Sequence, residues 1–173
     1  MIFFNKNIPE LHTDVSEYRP FIKNEWFRNH YMWFAYSLMI VLYLSGVVLG
    51  RFQVGNLLTR LLMWVVVYLI HESLHIITVY NKGDIYVSHS GIYLWLTPDV
   101  VLSKKRFWLF MTLPLIVLSL MTGAVSIFVA DTIGDYLRFI AWVNAIIAGS
   151  DIINSILIVL KPGGSIFYRG HYK

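Results

Sequence analysis

At 173 residues the chain is long enough for one domain and too short for two. Hydrophobic residues make up 57% of it against only 14% charged, with a mean hydropathy of +0.62, and a core of this size cannot enclose so much apolar surface in water. An ordinary soluble globule is thereby excluded; the absence of cysteine excludes thiolate ligands and a disulfide framework, and a formal charge of +4 that flanks apolar runs argues against nucleic acid as a partner.

Met1 to Asn7 form too short an apolar run for a signal peptide, and residues 1–30 read as an interfacial or cytoplasmic segment. Four stretches then reach the roughly 20 mostly apolar residues that a spanning helix needs. The first covers about 31–49, closed by Gly50-Arg51, and the second about 57–80, with Arg60 near its start. The third covers about 107–129, where Pro114 is expected to introduce a kink. The fourth covers about 137–160 and is stopped by Pro162-Gly163-Gly164. Between helices two and three, Ile85 and Val87 alternate with Tyr86 and Ser88, and Ile92, Leu94 and Leu96 alternate with Tyr93 and Trp95. With Ser88-His89-Ser90-Gly91 as the turn, this period of two predicts a β-hairpin over 84–96 that lies on the cytoplasmic membrane face. The expected fold is an all-α polytopic membrane protein of about four transmembrane helices (the membrane domain being 31–160), with that small hairpin between helices two and three.

Charge sets the expected topology. Lys6, Arg19, Lys23, Arg28, Lys82, Lys104, Lys105, Arg106, Lys161, Arg169 and Lys173 fall on one side, and Arg51, Arg60 and Arg138 on the other. The positive-inside rule then makes both termini, the middle loop and the tail over 161–173 cytoplasmic. Trp26, Trp33, Tyr80, Trp95, Trp108 and Tyr168 sit near span ends, as an interfacial belt does.

Ionisable side chains inside a bilayer cost about 2.5 to 3.5 kcal/mol each, so those that occur there are rare and usually functional. Arg60 is close enough to a helix end to snorkel. Well inside the spans stand His71, Glu72, His75 and Asp151. His71 and His75 are four apart, on one helix face, able to grip one ion, and Glu72 beside them can reach a water on that ion without being a ligand. Helices two and four run in the same direction under this topology. Asp151 stands nine residues before Leu160, as His71 does before Tyr80, so the acid can meet the histidines at one depth. Asn144, Asp151, Asn154 and Ser155 form a polar stripe on helix four, and Ala145, Ala148, Gly149 and Ser150 allow a neighbour close. Asn144 and Asn154 are candidates to orient a carboxylate or hold a substrate backbone; each could equally serve in hydrogen bonding between helices. His12, His30, His89 and His171 lie outside the spans and read as solvated or interfacial.

His71-Glu72-Ser73-Leu74-His75 in a membrane helix is followed by a loop ending in Leu96-Thr97-Pro98, then basic residues before Thr112-Leu113-Pro114-Leu115. Later come Ala148-Gly149-Ser150-Asp151 and Lys161-Pro162-Gly163-Gly164. Over about residues 57–173 this pattern resembles the Putative zincin peptidase family, small multi-pass bacterial membrane proteins. That family is in turn similar to the site-two intramembrane metalloproteases. The resemblance implies that His71, His75 and Asp151 bind zinc and that Glu72 is catalytic. Ser150-Asp151-Ile152 departs from the Asn-Pro and Asp-Gly context usual at the third site-two ligand, and no PDZ-like regulatory domain fits the length. The expected function is a zinc metalloprotease of the cell membrane that cleaves a peptide or transmembrane protein substrate, held as an added strand by the hairpin. The alternative is a non-catalytic metal-binding scaffold or transporter accessory, which has no need of Glu72.

Overall fold

Two asparagines start the first two long helices in the same way. Asn24 accepts the Phe27 N–H at 2.9 Å ahead of α1 (Glu25–Val48), and Asn56 accepts the Thr59 N–H at 2.9 Å ahead of α2 (Leu57–Val79). Each satisfies one donor that a helix start leaves open. Ser103 does the same for the Arg106 N–H at the start of α3 (Lys104–Phe128). These caps belong to a computed structural model that describes residues 2–4, 14–90, 93–129 and 131–173. Because of the Asn24 cap, α1 begins at Glu25 rather than near Tyr31, and a polar first turn extends the apolar span.

The three helices hold 24, 23 and 25 residues and are long and apolar enough to cross a membrane. α3 passes through Pro114 without breaking. It widens into a π-helical stretch over Leu115–Met121 and returns to α geometry over Thr122–Phe128, which is the form the expected kink takes.

The expected single helix over 137–160 is instead two. α4 (Asp131–Ile147) and α5 (Gly149–Val159) meet at Ala148 with a bend of 63°, and together make the fourth candidate span. Small side chains rather than a proline account for the break. A Cβ on Gly149 would lie 2.7 Å from Met39 Cγ, so the glycine is what lets α1 pass this close to the bend. α1 packs on α4 and α5, while α2 packs on α3 and α4.

Strands occupy one end of the bundle, where α1 and α3 begin and α2 and α5 end. The predicted hairpin is present as β3 (Asp84–Ser90) and β4 (Tyr93–Asp99), paired from Asp84↔Asp99 to Ser90↔Tyr93. Its strands are longer than expected, and Ser88, His89 and Ser90 belong to β3 rather than to the turn. Gly91 and Ile92, the remainder of the predicted turn region, lie outside the described residues. β1 (Ile2–Phe4) adds in parallel along β3. A second sheet was not anticipated: β2 (Arg19–Pro20), β7 (His171–Tyr172), β6 (Ile166–Tyr168) and β5 (Leu102–Ser103), in that order and all antiparallel. The fold is therefore mostly helical with two small sheets.

Phe21, Ile158, Phe167 and Tyr172 form a buried cluster that seats this second sheet on the bundle. Lys161 fastens it: its Nζ donates to the Phe21 carbonyl at 2.5 Å and lies 4.4 Å from the centre of the Tyr172 ring. A second cluster, Val54, Val67, Phe139 and Val143, fills the opposite end between α2 and α4. Outward, Ile40, Val41, Leu44 and Val48 of α1 and Leu61, Leu62, Val65, Val66 and Leu69 of α2 are exposed. Continuous apolar surface of this kind suits lipid rather than water.

Candidate metal centre

α2 brings His71 and His75 into register by a single turn. Their Nε2 atoms are 3.1 Å apart and their rings meet edge to face, with centroids 4.8 Å apart. The bend before α5 swings the first turn of that helix over them. Asp151 Oδ2 lies 3.1 Å from His71 Nε2 and 3.3 Å from His75 Nε2. All three residues are buried, at 3%, 5% and 8% exposure, so no solvent dielectric screens them.

The far nitrogen of each ring decides what faces this point. Asn144 Nδ2 donates to the Pro114 carbonyl at 3.1 Å and to Ser119 Oγ at 2.8 Å. A carbonyl only accepts, so the Asn144 amide can be oriented in one way, with Oδ1 toward His71. His71 Nδ1–H donates to that oxygen at 2.9 Å. His75 Nδ1–H donates to the Phe110 carbonyl at 2.6 Å. Pro114 helps here, because it has no N–H to offer the carbonyl four residues back, which is that of Phe110. With both Nδ1 atoms protonated, both neutral rings turn a bare Nε2 lone pair inward.

Two imidazole lone pairs and a carboxylate oxygen thus converge with no donor of their own between them. Only a cation resolves such a triangle. A tetrahedral zinc with bonds of about 2.0 to 2.1 Å sets its ligands about 3.3 Å apart, which is the spacing found. The donor set, two nitrogens and one oxygen, also suits that ion. Among the described residues, His71, His75 and Asp151 form a group that could hold a metal ion.

A cavity of about 300 Å³ opens beside the triangle. Glu72, half-buried, lines it together with Tyr68 one turn earlier on α2 and Tyr31 of α1. Tyr31 Oη donates to the Ser150 carbonyl at 3.0 Å, and Asn154 also faces the cavity, with Nδ2 3.9 Å from Met111 Sδ. The sequence-based candidates are therefore brought to one place. The two asparagines separate in what they touch: Asn144 holds a histidine, whereas Asn154 reaches the open space. His30 bonds the Trp26 carbonyl and His171 that of Arg169, so both have partners of their own. His89 falls in β3, and His12 lies outside the described residues.

Sequence reasoning missed Tyr31, Tyr68 and Phe110. Tyr31 stands at the edge of an apolar run with no signal beyond that of a belt residue. Phe110 was findable, since any intrahelical proline frees the carbonyl four residues before it. We expect Asn144→Leu to lower zinc affinity about 10- to 100-fold while the bundle stays folded, because the His71 ring loses its orienting acceptor. Competition with a zinc chelator would measure this, and an unchanged affinity would contradict the role assigned to Asn144.

Neither a curated protein nor a solved structure matches the chain. The Putative zincin peptidase family model matches residues 64–166, more than half of the sequence. Both histidines, Glu72, Phe110, Pro114, Asn144 and Asp151 lie within the matched region. With that span covered, the chain belongs to the Putative zincin peptidase family.

Proposed function

We propose that the protein is an integral membrane zinc metallopeptidase that hydrolyses peptide bonds of a membrane-associated substrate. One observation carries the reading: three lone pairs converge at zinc spacing on the wall of a cavity that Glu72 also lines. His71, His75 and Asp151 would hold the ion, leaving its fourth position open. Zinc there would lower the pKa of a water toward neutrality and polarise the scissile carbonyl. Glu72 takes a proton from the attacking water and delivers it to the leaving amine, so water divides between the new carboxyl and the new amino group. Asn144 and the Phe110 carbonyl keep both imidazoles in the tautomer that binds metal. β4 has an open edge in the order β1-β3-β4, which supports capture of an extended substrate strand beside the cavity.

The strand-bearing end collects the Lys and Arg residues of both termini and of the middle loop, and on this reading it faces the cytoplasm of a multi-pass cell-membrane protein. Similarity to site-two proteases agrees with such a placement. Hydrolysis of a model peptide by zinc-loaded wild type, set beside Glu72→Gln, tests the proposal. Equal function in the two proteins would instead favour a non-catalytic metal-binding scaffold.

A further inference from the structure

A second cavity, of about 430 Å³, adjoins the one at the metal triangle. Leu96, Phe110, Met111 and Asn154 line both, so the two spaces meet across a shared wall. Phe110 is the hinge of that wall: its carbonyl holds His75, and its ring centroid lies 4.8 Å from the His75 ring. The second cavity thus begins one ring away from a metal-binding position.

Its lining is mostly apolar and aromatic, with Phe21, Phe107 and Phe167 facing Leu96, Leu102 and Met111. The polar far end is already neutralised within the protein. Arg169 Nε pairs with Asp99 Oδ1 at 3.1 Å, and Tyr168 Oη donates to the same oxygen at 2.5 Å. A charged guest would lose its water there against a wall whose charges are committed to each other. A large apolar group loses nothing. The volume lies in the roughly 300 to 1,000 Å³ range of small-ligand pockets, enough for an aromatic side chain.

We infer that this cavity is a side-chain pocket selecting a bulky apolar residue beside the peptide bond that is cleaved. The inference rests on the metallopeptidase reading for the word cleaved, and on geometry alone for the pocket. Phe21 and Phe167 to His171 fall outside the residues matched by the family, so the preference is a property of this chain's own sheet. The pocket also places the chosen residue at the strand-bearing end of the bundle. The bond attacked therefore lies near a membrane surface, within reach of the β4 edge.

The test uses binding as well as hydrolysis. A fluorescent Gly-Ser decapeptide carrying a single Ala, Leu or Phe is titrated against zinc-loaded Glu72→Gln in detergent, alone and combined with Thr97→Trp. Thr97 lines the cavity from β4, so tryptophan there fills it without touching the metal triangle. The Leu and Phe peptides are expected to bind about 10-fold or more tighter than the Ala peptide, the discrimination an apolar pocket supplies. Thr97→Trp should erase that difference and leave the Ala peptide and the zinc content as they were. Met111→Ala, which removes wall contact instead of space, should weaken the Leu and Phe peptides by about 10-fold and serves if the tryptophan variant does not fold. A flat series, a series unaffected by both variants, or a cavity that releases only a lipid chain would overturn the inference. Preferential binding without hydrolysis by zinc-loaded wild type would overturn the peptidase reading alone.

Discussion

Asp151→Ala is expected to yield purified protein nearly free of zinc. Without Asp151, His71 and His75 remain as two neutral ligands on one helix, and the third corner of the triangle is lost. Loss of an orienting partner alone costs about 10- to 100-fold in metal affinity, so loss of a ligand should cost at least about 100-fold. The carboxylate also supplies the only negative charge among the three, in surroundings where charge is weakly screened. His71→Ala should behave alike. Metal analysis by mass spectrometry decides the matter, with the wild type expected to hold one zinc per chain. Retention of that zinc in Asp151→Ala would mean the third ligand lies elsewhere.

The second large effect concerns Glu72. Glu72→Gln keeps the size and the polarity of the side chain but removes its capacity to take a proton at neutral pH. Turnover should fall by about 100- to 10,000-fold, the range that a positioned general base contributes. Zinc content should stay at the wild-type level, because Glu72 lies outside the triangle formed by Nε2, Nε2 and Oδ2. Substrate binding should change little, so the loss belongs in kcat rather than KM. Peptide turnover and metal analysis on the same preparation separate this outcome from simple loss of the ion. A variant with wild-type turnover would remove Glu72 from the mechanism.

Much of this site can be read from residue type and depth alone. His71, Glu72, His75 and Asp151 stand out because ionisable groups are expensive in apolar spans, and that expense is visible without coordinates. The spans were legible for the same reason. The bend at Ala148 was not, because glycine and alanine break a helix only when a neighbour such as Met39 takes up the space, a tertiary fact. It nevertheless aims Asp151 at the histidines. The second sheet left no periodic signal, since β2, β5 and β7 are two residues each and too short to alternate. Asn144 could be assigned to a polar stripe, but which group it served depended on α3, where Pro114 and Ser119 fix its amide. Tyr31 and Ser150 are joined across 119 positions of sequence, a distance no local pattern bridges.

The short α5 has a consequence for where the ion comes from. Asp151 stands eight residues before Val159 and His71 eight before Val79, so both lie about 12 Å beneath the strand-bearing ends of their helices. From His71 back to Leu57 the same helix runs about 21 Å further. The cavity beside the triangle is lined by Ile22 and Leu96, which belong to the strand-bearing side. Metal and water therefore share a short route from one face and meet a thick apolar barrier from the other. The site is asymmetric in supply: its occupancy follows the free-metal level of one compartment and is insulated from that of its neighbour across the membrane.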